Sequence, residues 1–394
     1  MCLSALLGAV AFPEFYPARL QSHPIPFRFA NFYDLFFASP RPGLSMKSVL
    51  VVQLKRIGDL ILTTPALVAL RQAMPQAKIT LLIDRYSEEV APALPMVDEI
   101  FTYDRKRSFP IWLKLLFREY DYCLDFTGND RSALVAFFSK AADRVSFSFV
   151  ARRRHRAWIY TDLVSSSVRD LHTIDHYLDL SRFVGFSGPA PEPIIKLPED
   201  VVRSVPEILR EIGLSTPFFV VHPGTARRVK YWPAERWAEL IRYLCNRLRL
   251  ACLFTGGSDR SEIEHIRAIR KELGQTDFVF NLAGQIPFLV TAAMIRQSRF
   301  FLGVDTAAAH VASVFGRPEL VLFGPSNPFH WHPRHPLGRV LRAGGESSYQ
   351  PLDPKESGHP MSDLSTRTVI NAMEGFLDRW GEVPAGTGSC RAEL

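Results

Sequence analysis

Three groups of residues in this sequence have types and spacings suited to holding an anion beside a reacting hydroxyl. The first is Gly303-Val304-Asp305-Thr306-Ala307-Ala308-Ala309-His310, preceded by the apolar Phe300-Phe301-Leu302. It reads as a buried strand, a tight turn and a helix start capped by Asp305 or Thr306. The N–H groups of a helix start, backed by the helix dipole, attract a phosphate, and alanine side chains let it approach the backbone. Capping alone is common and needs no ligand. The second group is Lys230 with Arg227-Arg228, in the loop after Phe218-Phe219-Val220-Val221-His222-Pro223-Gly224-Thr225. A lone loop lysine is ordinarily solvated, but beside the Gly224-Thr225 turn an ammonium reaches a phosphate. The third is Lys55-Arg56-Ile57-Gly58-Asp59, which follows the apolar run Ser48–Leu54. Gly58 permits tight geometry and a close neighbour, and Asp59 is either a helix cap or a base.

The elements that must position these groups alternate along the chain. Buried strands are predicted at Ser48–Leu54, Lys78–Ile83, Glu99–Tyr103, Tyr122–Phe126 and Arg144–Phe147, with helices such as Leu60–Leu70 and Ser132–Ala142 between them. A helix over Leu171–Leu180 leads to Gly185 and the proline-rich Gly188–Pro193. A second α/β unit follows, with strands at Phe218–His222, Leu250–Thr255, Phe278–Asn281, Phe301–Val304 and Glu319–Phe323. Its strand ends carry Gly224-Thr225, Gly256-Gly257-Ser258, Gly303 to Thr306 and Gly324 to Ser326. Four successive turns of this kind favour a nucleotide cradle at the carboxyl ends of a doubly wound sheet. Trp232 and Trp237 are assigned to the core.

The expected organisation is an N-terminal extension (1–45), a first Rossmann-like domain (46–185), a linker (186–216), a second such domain (217–365), a terminal helix (366–381) and a tail (382–394). Met1–Phe12 holds a short apolar stretch without the basic leader of a signal peptide. The extension is either peripheral or the product of an upstream translation start. No apolar run approaches the ~20 residues that span a bilayer. The 394 residues carry a net charge of +7, with 47% hydrophobic and 22% charged residues. That describes a globular protein with acidic partners, not a disordered one. Five scattered cysteines form no metal or redox motif and fit a reducing cytoplasm. No close carboxylate pair calls for a metal, and no cofactor is expected.

Basic clusters stand at Arg105-Lys106-Arg107, Lys114, Arg118 and Arg152-Arg153-Arg154-His155-Arg156, interleaved with Phe109, Trp112, Phe117, Phe147, Phe149 and Trp158. Such runs are usually solvated faces. With these aromatic neighbours they fit an anionic glycolipid or membrane surface. Nucleic acid is not expected, because no binding module accompanies the charge.

Taken together, Lys55–Asp59 with Thr63-Thr64-Pro65-Ala66-Leu67, His222–Thr225 with Lys230-Tyr231-Trp232-Pro233, Gly303–His310 and Phe323-Gly324-Pro325-Ser326-Asn327-Pro328 resemble the ADP-heptose:lipopolysaccharide heptosyltransferases, glycosyltransferase family 9. The resemblance spans roughly residues 47 to 380, in order. It implies two Rossmann-like doubly wound domains facing a cleft, the GT-B architecture, with acceptor on the first and nucleotide sugar on the second. It puts the family's catalytic aspartate on Asp59 and its phosphate-binding lysine on Lys230. The diphosphate turn falls on Asp305, Thr306 and His310, with the amides of Ala307 and Ala308. Gly224, Thr225, Gly257 and Ser258 complete the expected donor site, and Lys55, Gly58, Arg152 and Arg154 the acceptor site. The ribose-contacting carboxylate is left open near Gly257-Ser258-Asp259.

The activity so implied is inverting transfer of a heptose or related sugar from an ADP-sugar to a lipopolysaccharide core acceptor, in the cytoplasm and against the inner face of the inner membrane. Two other activities are weighed against it. One is a nucleotide-sugar epimerase of the same architecture, and the other a non-enzymatic scaffold binding anionic glycolipid through Arg152 to Arg156.

Overall fold

The β-branched run Ser48–Gln53 (β1) is buried from Val49 onward on both faces, as a central strand of a parallel sheet must be. The computed structural model describes residues 46–345 and 352–380; expectations for the 1–45 extension and the 382–394 tail lie outside them. Helix α1 (Ile57–Ala73) follows β1 and is succeeded by β2 (Lys78–Asp84) and β3 (Glu99–Tyr103). Helix α2 (Phe109–Leu116), β4 (Tyr122–Asp125), α3 (Asp130–Phe138) and β5 (Asp143–Phe147) come next. A short α4 (Arg154–Ala157), β6 (Asp162–Val164) and α5 (Thr173–Phe183) end this half. The six strands run parallel in the order β3-β2-β1-β4-β5-β6.

Within 186–216, read as the join, the chain forms α6 (Glu199–Glu211), whose Val205 is fully buried. The second half then gives β7 (Phe218–His222), α7 (Ala234–Leu248), β8 (Ala251–Phe254), α8 (Arg260–Leu273) and β9 (Val279–Asn281). Helix α9 (Phe288–Gln297), β10 (Phe301–Val304), α10 (Ala307–Val314), β11 (Glu319–Phe323), β12 (Gly338–Arg342) and α11 (Thr366–Trp380) follow. The second sheet is also parallel, in the order β12-β11-β10-β7-β8-β9. Both therefore present their strand ends, and hence their ligand-binding loops, along one edge.

One apolar cluster runs from Val49 and Val51 of the first sheet through Leu62 and Leu67 of α1 to Ala308 of α10 and Val220 of the second sheet. The two domains thus share packing where α1 meets α10. The opposite face of the first sheet is covered by α2 and α3 through Ile111, Leu115 and Ala136. Trp232 and Trp237 are fully buried in the second domain's outer core, as expected. Phe147, read as a surface aromatic, is fully buried and stacks on His176 with ring centroids 3.8 Å apart. As a strand residue it points into the core, and the basic run that follows it in sequence does not change that.

Two predictions follow from this packing. A Cβ on Gly303 would sit 2.7 Å from the Phe301 ring and 2.9 Å from the backbone oxygen of His222. Gly303→Ala should destabilise the second domain by about 1–3 kcal/mol, read as a lower thermal midpoint. The second concerns acid. Burial lowers the pKa of His176 and of His222 from 6.5 to about 4, so both bind protons less readily folded than unfolded. Their stabilisation is present above pH 6.5 and is lost as the pH falls from about 6.5 to 4. Each imidazole removes up to ~1.4 kcal/mol per pH unit, and chemical denaturation at stepped pH should show the midpoint falling across that window.

Candidate active site

The starts of α1 and α10, one from each domain, lie against each other. A Cβ on Gly58 would meet His310 Cδ2 at 3.3 Å and Ala307 Cα at 3.7 Å. Gly58, expected to touch the acceptor, instead provides the clearance that lets these helix ends approach, and it does not line the cleft. The expected groups on either side are thereby brought together. His310 is buried, with its pKa lowered mainly by that burial, and it lies within electrostatic range of Asp305, Asp59 and Lys230.

On the second domain's side, neither Asp305 nor Thr306 caps α10. Thr306 occupies the cap position in extended backbone, makes no side-chain cap bond, and leaves its buried hydroxyl without a partner. The Asp305 carboxylate turns away to pair with Lys230 Nζ and to accept a hydrogen bond from Ser326 Oγ at 2.7 Å. The first amides of an α-helix have no intrahelical acceptor; here no cap side chain takes them either. The Lys230 ammonium stands beside them, only 14% exposed. Uncapped helix-start amides near a lysine are the ingredients an anion site requires.

Gly224 and Gly257 lie around a carboxylate that the sequence did not single out. Glu262, in the first turn of α8, accepts from the Gly257 amide at 2.9 Å, and a Cβ on Gly224 would sit 3.0 Å from its Cγ. It is almost fully buried, and burial pushes its carboxyl above the ordinary range. Thr225 is half-buried nearby in sequence, while Ser258 is exposed and Asp259 caps α8 through the Ser261 amide. Of the acidic residues in this segment, Glu262 is the one folded against the Gly-rich turns.

On the first domain's side, Asp59 stands in the first turn of α1, past the Arg56 cap position, so it is not a cap. Tyr177 Oη, from α5, donates to Asp59 Oδ1 at 2.7 Å, and Lys55 Nζ donates to Tyr177 Oη at 3.0 Å. Burial and the neighbouring carboxylate hold the Tyr177 pKa well above 10, so the phenol keeps its proton and acts as a donor. Burial lowers the Lys55 pKa, while Asp59 and Asp125 pull it back up.

These residues open onto a cleft of about 570 Å³ that includes Arg152, Arg169, Ser166 and His176 and is closed on one side by Trp331 from the second domain. Arg152 lines it as expected, but Arg154 does not, because it sits exposed on the short α4. Arg156 and His155 are taken up by Asp130, at 2.5 and 3.1 Å. Arg169 and Trp331 were not legible as site residues, for neither belongs to a recognisable spacing.

The loop carrying Trp331 is tied across the domains. Arg334 makes a two-pronged pair with Asp175 at 2.5 and 3.0 Å. His332 accepts from His172 through its carbonyl at 3.1 Å, and His330 donates to the Leu171 carbonyl at 3.1 Å.

Among known proteins, the model of Glycosyltransferase family 9 (heptosyltransferase) matches residues 109–357. Lipopolysaccharide heptosyltransferase 3 of Escherichia coli strain K12 is 24% identical over 285 residues, 70% of this chain and 82% of that protein. A glycosyl transferase family 9 protein from Veillonella parvula superposes with a TM-score of 0.71 at 24% identity, covering 84% of this chain and 97% of that one. The E. coli ADP-heptose lps heptosyltransferase II gives 0.68 at 21% identity, covering 85% and 100%. These structures share the two-domain GT-B fold described above. With a family match across more than half its length and this fold beneath it, the chain belongs to glycosyltransferase family 9 and is a glycosyltransferase.

Proposed function

We propose that this enzyme moves a heptose, or a related sugar, from an ADP-sugar to an acceptor in the inner core of lipopolysaccharide, with inversion at the anomeric carbon. The observation that carries this reading is the packing of the α1 start against the α10 start, so close that a Cβ on Gly58 would meet His310 and Ala307, which puts Asp59 and the uncapped α10 amides on adjoining helix ends. The names of the relatives, a lipopolysaccharide heptosyltransferase and an ADP-heptose lps heptosyltransferase, support the choice of donor and acceptor.

In the proposed reaction Asp59 accepts the proton of an acceptor hydroxyl, whose oxygen attacks the anomeric carbon from the face opposite the departing ADP. Tyr177 holds one carboxylate oxygen and leaves the other to the substrate. As the glycosidic bond breaks, negative charge gathers on the diphosphate. The α10 amides and Lys230 would then bind it more tightly than in the ground state, which is where rate is gained. Glu262, beside Gly224 and Gly257, is placed to accept hydroxyl donors of the nucleoside, alongside the proposed Thr225 and Ser258 contacts. Lys55, Arg152 and Arg169 give the acceptor cleft a positive wall, suited to an acidic sugar acceptor. An epimerase acts on one substrate, and the room beside Asp59 for another sugar favours transfer. A lipid-linked acceptor also requires work at the inner face of the inner membrane. No helix among the described residues is long and apolar enough to cross a bilayer, so that contact is peripheral in this proposal.

General-base assistance is worth ~10²–10⁴-fold, so Asp59→Asn should lower turnover by about that factor while ADP binding by calorimetry stays unchanged. Normal turnover would remove Asp59 from its role. Lys230→Ala should lower turnover and, unlike Asp59→Asn, also weaken ADP by about 10–100-fold, the worth of one charge-assisted hydrogen bond. An unaltered ADP affinity would put the diphosphate elsewhere.

A further inference from the structure

Helix α2 is apolar on two faces, and only one of them is used by the fold. Ile111 and Leu115 point into the first domain's core. Phe109, Leu113, Leu116 and Phe117 fall at helical spacing on the other face and are 71, 38, 43 and 86% exposed. On the neighbouring α3, Leu134 and Phe138 are exposed one turn apart, and Phe138 meets Trp112 of α2 edge-on at 5.5 Å. Of the thirteen large apolar side chains left exposed among the described residues, five are on these two helices and a sixth, Phe117, follows the last residue of α2. Scattered exposed apolar residues are ordinary, but a contiguous patch marks a surface that meets something.

The charge around the patch indicates what it meets. Residues 105–118 contain Arg105, Lys106, Arg107, Lys114 and Arg118 and no acidic residue. Arg118 is paired with Glu99 at 2.5 Å, but no ion pair holds Arg105, Lys106, Arg107 or Lys114 among the described residues. A helix with bulky aromatic side chains outward and lysine and arginine at its rim suits the boundary between lipid headgroups and acyl chains when the headgroups are anionic. The patch lies on the face of the sheet opposite α1 and so away from the second domain. Its basic turn follows the carboxyl end of β3, the edge of the parallel sheet at which Lys55 and Asp59 also stand.

We infer that the outward faces of α2 and α3 form the membrane-docking surface of this protein, seating Phe109 and Phe117 in an anionic bilayer. This rests on the proposed lipid-linked acceptor for its purpose, though not for its geometry. Of the two basic clusters that the sequence offered for such a face, it selects Arg105–Arg118; in the other, Arg152 lines the cleft and His155 and Arg156 pair with Asp130 at the start of α3.

Vesicle co-sedimentation tests it, using the full chain with phosphatidylcholine vesicles with and without phosphatidylglycerol. Wild type should bind the phosphatidylglycerol vesicles at least about 10-fold more strongly than the neutral ones, and binding should fall as salt rises. The double substitution Phe109→Ser with Phe117→Ser should weaken binding by about 10–100-fold, from the apolar area lost. Lys106→Ser with Arg107→Ser should remove the preference for phosphatidylglycerol. ADP affinity of all the variants should stay within about twofold of wild type, as expected for exposed positions.

Equal binding to both vesicles, no binding to either, or full binding by the Phe109/Phe117 variant would overturn the inference. So would light scattering that showed a wild-type dimer made monomeric by that variant, because the patch would then be covered by a second copy. Sugar transfer to a deacylated core fragment separates this inference from the functional reading. Vesicle binding without transfer would leave the surface standing and defeat the reading; transfer without vesicle binding would do the reverse.

Discussion

Two helix starts directed at one place is the constraint on which this molecule depends. Each start carries partial positive charge, and α1 and α10 meet so closely that a Cβ on Gly58 would touch Ala307 and His310. Left alone, the two ends repel and their free amides go unsatisfied. Each helix has an aspartate beside its start, and neither aspartate is used as a cap. Asp59 is held by Tyr177 and, through it, by Lys55, while Asp305 is held by Lys230 and Ser326. Both carboxylates are therefore oriented by neighbours from other elements, and the first amides of α10 are left without a side-chain acceptor.

How much of this was legible in the sequence depended on how local the relevant geometry is. The turn Gly303 to Ala307 is local: strand, glycine, polar pair and helix formers follow one another, and the structure has that order. The alternating strands were legible for the same reason, since a buried parallel strand must be apolar throughout its run. The fold class was accordingly within reach. What the turn does in detail was not. Capping by Asp305 or Thr306 was the natural reading of a polar pair before a helix; Thr306 does hold the cap position but its hydroxyl makes no bond there, and the Asp305 carboxylate is taken by Lys230 from a distant loop.

The site residues missed share that character. Tyr177 reaches Asp59 across 118 positions of sequence, and nothing in the pattern around a helical tyrosine announces which way it faces. Trp331 belongs to the other domain, and Arg169 to a stretch without regular spacing. Glu262 was passed over because three acidic or polar residues precede it and only burial separates them. Successive arginines posed the same difficulty in miniature, since Arg152 faces the cleft and Arg154 does not.

Trp331 has a consequence of its own. It is supplied by the second domain yet forms part of the wall of the cleft at Asp59, held there by the Arg334–Asp175 pair and the backbone bonds of His330 and His332. Pulling the lobes apart would strip that wall away, so the pocket is complete only in the closed arrangement. Whatever draws the lobes together on one side raises affinity on the other by an equal factor, because such coupling is reciprocal. For the two substrates proposed above, that reciprocity makes the indole a shared partition through which each favours the other.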